Sequence, residues 1–192
     1  MHDATAVKAA LQLLHMPASV RYVREQPLPP GLLQVLQVAA RDSEALAAAE
    51  RATGREADKL VAAARFYIEQ VLWHPRADHF RLLGAEIGAS SVELKRNLAL
   101  LMTWLHPDTA GQSDHYGAHV ARITAAWNDL KTPERRQAYE ALLDREAADA
   151  ARRRRHFKAR ISANRARIER VRQHRVSLWR RVWSLVSGRP NA

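Results

Sequence analysis

The chain has no cysteine. Disulfides, thiolate metal sites and cysteine nucleophiles are thereby excluded, and a reducing cytoplasm is the expected compartment. Glycine and proline are scarce, 7 and 8 in 192 residues, so they punctuate the chain at a few breaks only. No stretch alternates apolar and polar residues cleanly, and strand signals are almost absent. No apolar run approaches the roughly 18 residues of a membrane span. Met1, His2 and Asp3 put no basic region ahead of an apolar stretch, so no signal peptide is expected. The sequence also lacks a glycine-rich phosphate loop and a Gly-x-Ser-x-Gly nucleophile elbow.

Helix formers fill the space these absences leave. Ala, Leu, Arg, Glu and Gln dominate. Apolar residues make up 47% and charged residues 27%, an ordinary globular balance that predicts a buried core. The length allows one or two small domains. The expected fold is all-α, in three parts: a small helical domain over 1–75, a helical unit over 76–144 and a long basic helix over 145–192.

In the first part, residues 5–15 predict a short helix through Val7, Leu11 and Leu14. Gln26-Pro27-Leu28-Pro29-Pro30-Gly31 is a break. Leu32 to Arg41 follows as a helix with Leu32, Leu33, Val35 and Leu36 inward. Asp42-Ser43 caps an Ala-rich helix from Glu44 to Ala52, and Thr53-Gly54 stops it. Arg55 to Trp73 reads as one longer helix, ended by His74-Pro75.

In the second part, Asp78 to Leu83 predicts a short helix ending at Gly84. Ser90 or Ser91 caps a helix from Val92 to Leu105, and His106-Pro107-Asp108 breaks it. After a polar loop a helix spans about 118–130, and Pro133 opens the next at its first turn. Leu82, Leu83, Leu94, Leu98, Leu101, Leu105, Val120, Ile123, Trp127 and Leu130 recur at helical spacing and read as core. Tyr139 is expected to pack the last helix back on the others.

His106-Pro107-Asp108 does not stand alone. Ahead of it come Phe80-Arg81-Leu82-Leu83-Gly84 and Lys95-Arg96; behind it come Ala126-Trp127, Leu130 and Arg135-Arg136-Gln137-Ala138-Tyr139-Glu140. This arrangement resembles the J-domain of DnaJ-type co-chaperones over about 77–143. The resemblance implies a helical hairpin with the tripeptide at the tip of its connection. It implies a DnaK-type chaperone as partner, whose ATP hydrolysis is stimulated, and therefore a regulator rather than an enzyme, with no catalytic residue and no cofactor. His106, Pro107 and Asp108 match the signature directly, with Lys95, Arg96, Arg135 and Arg136 as supporting charges. The chemistry suits the role: the proline stiffens the tip, the carboxylate can pair with an arginine, and the imidazole both donates and accepts.

The sequence departs from that family at Ala99, Leu100, Thr103 and Trp104, where basic residues are usual. Electrostatic docking is then weaker, with Arg122 and Lys131 as compensating charges beside Arg135 and Arg136. Alternatively, Leu100 and Trp104 form an apolar patch covered by the N-terminal domain or the tail. The rival reading is a membrane- or nucleic-acid-associated scaffold whose hairpin is structural only.

The charge is uneven. Residues 145–192 hold 15 Lys/Arg against 3 Asp/Glu, while 1–144 hold 16 against 17. Such a tail points to an anionic surface. Phe157, Ile161, Asn164, Ile168, Val171, Arg175, Leu178, Val182 and Leu185 follow steps of four and three, a heptad stripe suited to a homo-oligomer or to packing on another helical surface. Arg152, Arg153, Arg154 and Arg155 form the densest basic run. Trp179, Arg180, Arg181 and Trp183 suit an anionic membrane interface, which would place the protein peripherally at the inner face of the membrane. A nucleic-acid role would use the arginines and leave the tryptophans idle unless they stack on bases. His115 and His119 share a helical spacing, but no Glu follows the first as in a His-Glu-x-x-His site, and no metal is expected.

Overall fold

The computed structural model describes residues 4–106 and 115–186, with side chains at 5–106, 116–165, 168 and 169. Among these residues there are helices and no strand. Residues up to Tyr139 form one compact unit, and Glu140–Ala192 form a second.

The first unit opens with α1, Ala4–His15. Its buried face is Ala6, Val7, Ala10 and Leu13; Leu11 and Leu14, through which the sequence traced the helix, are half-buried. The reason is the partner: α1 packs on α5, Ala57–Tyr67, whose Ala63 and Ala64 are also fully buried. Small residues on both faces let two helices approach closely, so Ala6 and Ala10 share the buried face with Val7 and Leu13. A 3₁₀ turn at Pro17–Ser19 and α2, Val20–Arg24, come next, neither anticipated from the sequence. The proline-rich break then leads into α3, Leu32–Ala39. Val35 and Leu36 are buried as expected, whereas Leu33 is half-buried and Val38 and Ala39 are inside.

α4, Ser43–Thr53, begins as its sequence dictates: the Asp42 carboxylate accepts from Ala45 N at 2.9 Å. Gly54 ends it with φ +64°, a conformation that a side chain would strain. α5 does not run to Trp73 as one regular helix. Ile68–Leu72 widens into a π turn, closed by Trp73 N donating to Ile68 O at 3.0 Å. One extra residue in the turn rotates the next residues about the helix axis. Ile68, Val71, Leu72 and Trp73 are all buried.

α6, His79–Leu82, is capped by Asp78, which accepts from Arg81 N at 2.9 Å. α7, Ser91–Leu105, is capped by Ser90, which accepts from Glu93 N at 3.1 Å. α8 is His115–Leu130 and begins three residues before the position expected from the sequence. α9, Pro133–Val186, starts on its proline and contains the whole basic run from Arg152 to Arg155. α8 packs on both α6 and α7. Phe80, Leu83, Leu94, Leu101, Ile123, Ala126 and Leu130 form the core between them, while Leu98, Val120 and Trp127 are half-buried at its edge.

Within the first unit, the helices of 4–75 and those of 79–139 share this core. α3 packs on α7. Gly84 has φ +64°, and a Cβ there would lie 3.1 Å from Leu36 Cδ1. Two conditions therefore select glycine at the end of α6: a left-handed backbone and a close neighbour from the first helices.

Candidate J-domain site

Polar contacts assemble the unit around α6 and α7. Asn97, almost fully buried, donates from Nδ2 to Leu83 O and Gly84 O, each at 3.0 Å. This ties the middle of α7 to the turn after α6. Tyr139 joins the start of α9 to α6: its hydroxyl accepts from His79 N at 2.9 Å, and its ring stacks on His79 at 4.2 Å. Arg136 lies 5.4 Å above the Phe80 ring and donates to Ala89 O at 2.6 Å. Asp129 Oδ2 is 3.3 Å from His79 Nδ1. Burial lowers the His79 pKa, and the nearby carboxylate only partly opposes that shift. That shift favours the neutral ring over an ion pair with Asp129.

The end of α7 is anchored by aromatics. Trp104 is buried and stacks on Trp73 with centroids 4.9 Å apart and planes within 10°. The other partner of Trp73 is His119 of α8, at 4.7 Å. Tyr116, in the first turn of α8, meets Trp104 edge-on at 5.9 Å, which brings the last turn of α7 to the first turn of α8 as in a hairpin. The Tyr116 hydroxyl donates to Glu69 in the π turn at 3.3 Å, and burial raises its pKa, with Glu69 adding to the shift. Arg65 of α5 sits 5.3 Å above the Trp104 ring. Arg122 donates to Trp73 O at 2.7 Å and to His74 O at 3.0 Å. The first helices thus grip the hairpin at the end where the tripeptide begins.

His106 lies directly beyond α7, exposed, with extended backbone. Pro107 and Asp108 lie outside the described residues. Lys95 and Arg96 are exposed on α7. Arg135 is exposed and donates to Asn128 O at 3.1 Å, whereas Arg136 is engaged with Phe80 and Ala89. Arg122, expected as a compensating charge, is spent on the Trp73–His74 carbonyls. Of the two covers considered for Trp104, the first helices supply it, through Trp73 and Arg65; Leu100 stays half-buried. Arg152, Arg153, Arg154 and Arg155 are exposed on α9. Trp179, Arg180, Arg181 and Trp183 fall within α9, but their side chains lie outside those described.

Sequence reasoning missed the roles of Trp73, Tyr116 and Glu69. Trp73 carried a signal: a large aromatic directly before a His-Pro break, with a second tryptophan at a position where the resembled family is basic.

Comparison with known proteins agrees with the motif and with this geometry. Residues 78–140 match the family model of the DnaJ domain, so the hairpin and its flanking helices form a J-domain. A stretch of 63 residues is 41% identical to DnaJ homolog subfamily C member 14 of Bos taurus. It covers 32% of this chain and 9% of that protein, so the likeness speaks for the domain only. No solved structure matches the chain.

Proposed function

We propose that this protein is a J-domain co-chaperone. It docks a DnaK-type chaperone through His106, Pro107 and Asp108 and stimulates ATP hydrolysis by that partner, without being an enzyme itself. The carrying observation is the DnaJ-domain match over 78–140, a stretch of sequence that contains His106, Pro107 and Asp108. Asp108 offers a carboxylate to a partner guanidinium, the geometry in which charge-assisted hydrogen bonds are strongest. Lys95, Arg96 and Arg135 add positive charge, which steers an acidic partner surface more than it tightens the complex. Burial of Trp104 leaves less of α7 for such contact, so docking relies on the tripeptide. The cytoplasm is the compartment where such a partner would be met.

Single-turnover ATP hydrolysis by a DnaK-type chaperone from the same cell tests this. The 192-residue chain should accelerate hydrolysis, and His106→Gln should abolish the acceleration while leaving the circular dichroism spectrum unchanged. No acceleration by the unaltered chain would refute the co-chaperone reading.

A further inference from the structure

The second unit presents an apolar row that the co-chaperone reading does not use. Phe157, Ile161 and Ile168 are 63%, 52% and 61% exposed. Their spacing puts them on one helical face, in a helix otherwise crowded with arginine. Asn164 falls between Ile161 and Ile168 on that face, so the row is apolar with one polar interruption; exposed apolar side chains grouped on one face mark an interaction surface.

The flanking residues decide what fits it. On one side of the row the sequence has Lys158, Arg165 and Arg172; on the other it has Arg160, Arg167 and His174. Every one is basic or can become so. In a coiled coil of two copies these rows face each other whichever way the helices run, and like charges repel. A second copy is therefore a poor occupant. An apolar layer under dense negative charge is a good one: the side chains of Phe157, Ile161 and Ile168 enter the layer, and the basic stems lie along its edge with their charged heads at phosphate level. The pattern continues in the sequence. After Arg175, Val176, Leu178, Trp179, Val182, Trp183 and Val186 fall within one half of the helical register, and Ser177, Arg180, Arg181 and Ser184 within the other. A paired-helix seam uses two positions in seven and has no place for Trp179 and Val186 in its flanks. An interfacial helix uses both.

We propose that residues 157–186 of α9 lie in the plane of a bilayer with anionic headgroups and hold the chain on that surface. No described helix is long and apolar enough to cross a membrane. This inference does not depend on the co-chaperone reading.

The test is co-sedimentation of the full chain with vesicles of phosphatidylcholine alone and of phosphatidylcholine mixed with phosphatidylglycerol. Binding should require phosphatidylglycerol and weaken with salt. The triple variant Phe157→Ser, Ile161→Ser, Ile168→Ser should lose at least about tenfold in affinity, because each apolar side chain gives up its burial. These positions are exposed, so the variant should keep its helix content. A second variant, Lys158→Gln, Arg160→Gln, Arg165→Gln, should weaken binding and flatten its salt dependence. Three results would overturn the proposal: unchanged vesicle binding by the serine variant, binding of single-stranded RNA but not of vesicles, or self-association that the serine variant abolishes with no vesicle binding at all.

Discussion

Asn97 shows how one polar residue can specify a junction. It is buried, yet its amide satisfies two carbonyls that the end of α6 leaves open. An apolar residue of similar size would fill the space and strand both carbonyls. His79 is the titrating counterpart. Its folded pKa lies below the ordinary 6.5, chiefly through burial. His74 is shifted the same way, by burial first and then by Arg24 and other nearby arginines. As pH falls, the unfolded chain takes the proton before the folded one does. The stability these rings confer is therefore present above about pH 6.5 and is lost below it. Urea midpoints should fall as the pH drops from about 7.5 to about 5.5. His79→Phe, which keeps the ring stacked on Tyr139, should flatten that slope; an unchanged slope would assign it to other groups.

Among the elements, the π turn at Ile68–Leu72 does the most for the site. It ends α5 with Trp73 turned onto Trp104 and His119. A regular α-helix would carry Trp73 to another angle, since the registers differ by a residue per turn. Trp73→Ala should cost about 3–5 kcal/mol, the range for emptying a buried aromatic site. It should also speed amide exchange in the last turn of α7 and in the first turn of α8, beyond the rise seen in α1. A uniform rise would mean that Trp73 supports the whole unit and not the hairpin tip in particular.

At the scale of the molecule, the J-domain is not an isolated module here. Leu36 against Gly84, Trp73 against Trp104, and Arg122 on the Trp73 and His74 carbonyls all join it to the first helices. A fragment of residues 76–144 would expose Trp104 and lose those partners. Its thermal midpoint should lie well below that of residues 1–144, and its tryptophan emission should be red-shifted. Equal midpoints would show that the shared core adds nothing to the domain. The first helices also hold the last turn of α7 and the first two turns of α8, through Trp73 on Trp104 and His119 and through Glu69 on Tyr116.

The sequence by itself determined the helical class and most helix starts, and it singled out the tripeptide on which the proposed function rests. Caps such as Asp42, Asp78 and Ser90 act through hydrogen bonds to a backbone N–H three residues on, so they are legible in one dimension. So is a tripeptide whose neighbours stand at fixed spacings. Tertiary structure decided what depends on a partner distant in the chain: Ala6, Ala10 and Leu13 rather than Leu11 and Leu14 as buried residues of α1, the π turn, the burial of Trp104 and the recruitment of Arg122 and Arg136 to carbonyls. Periodicity tells which residues can share a face. Only the surface opposite tells which face is buried, and whether an arginine spends its charge on the protein's own backbone or keeps it for a partner.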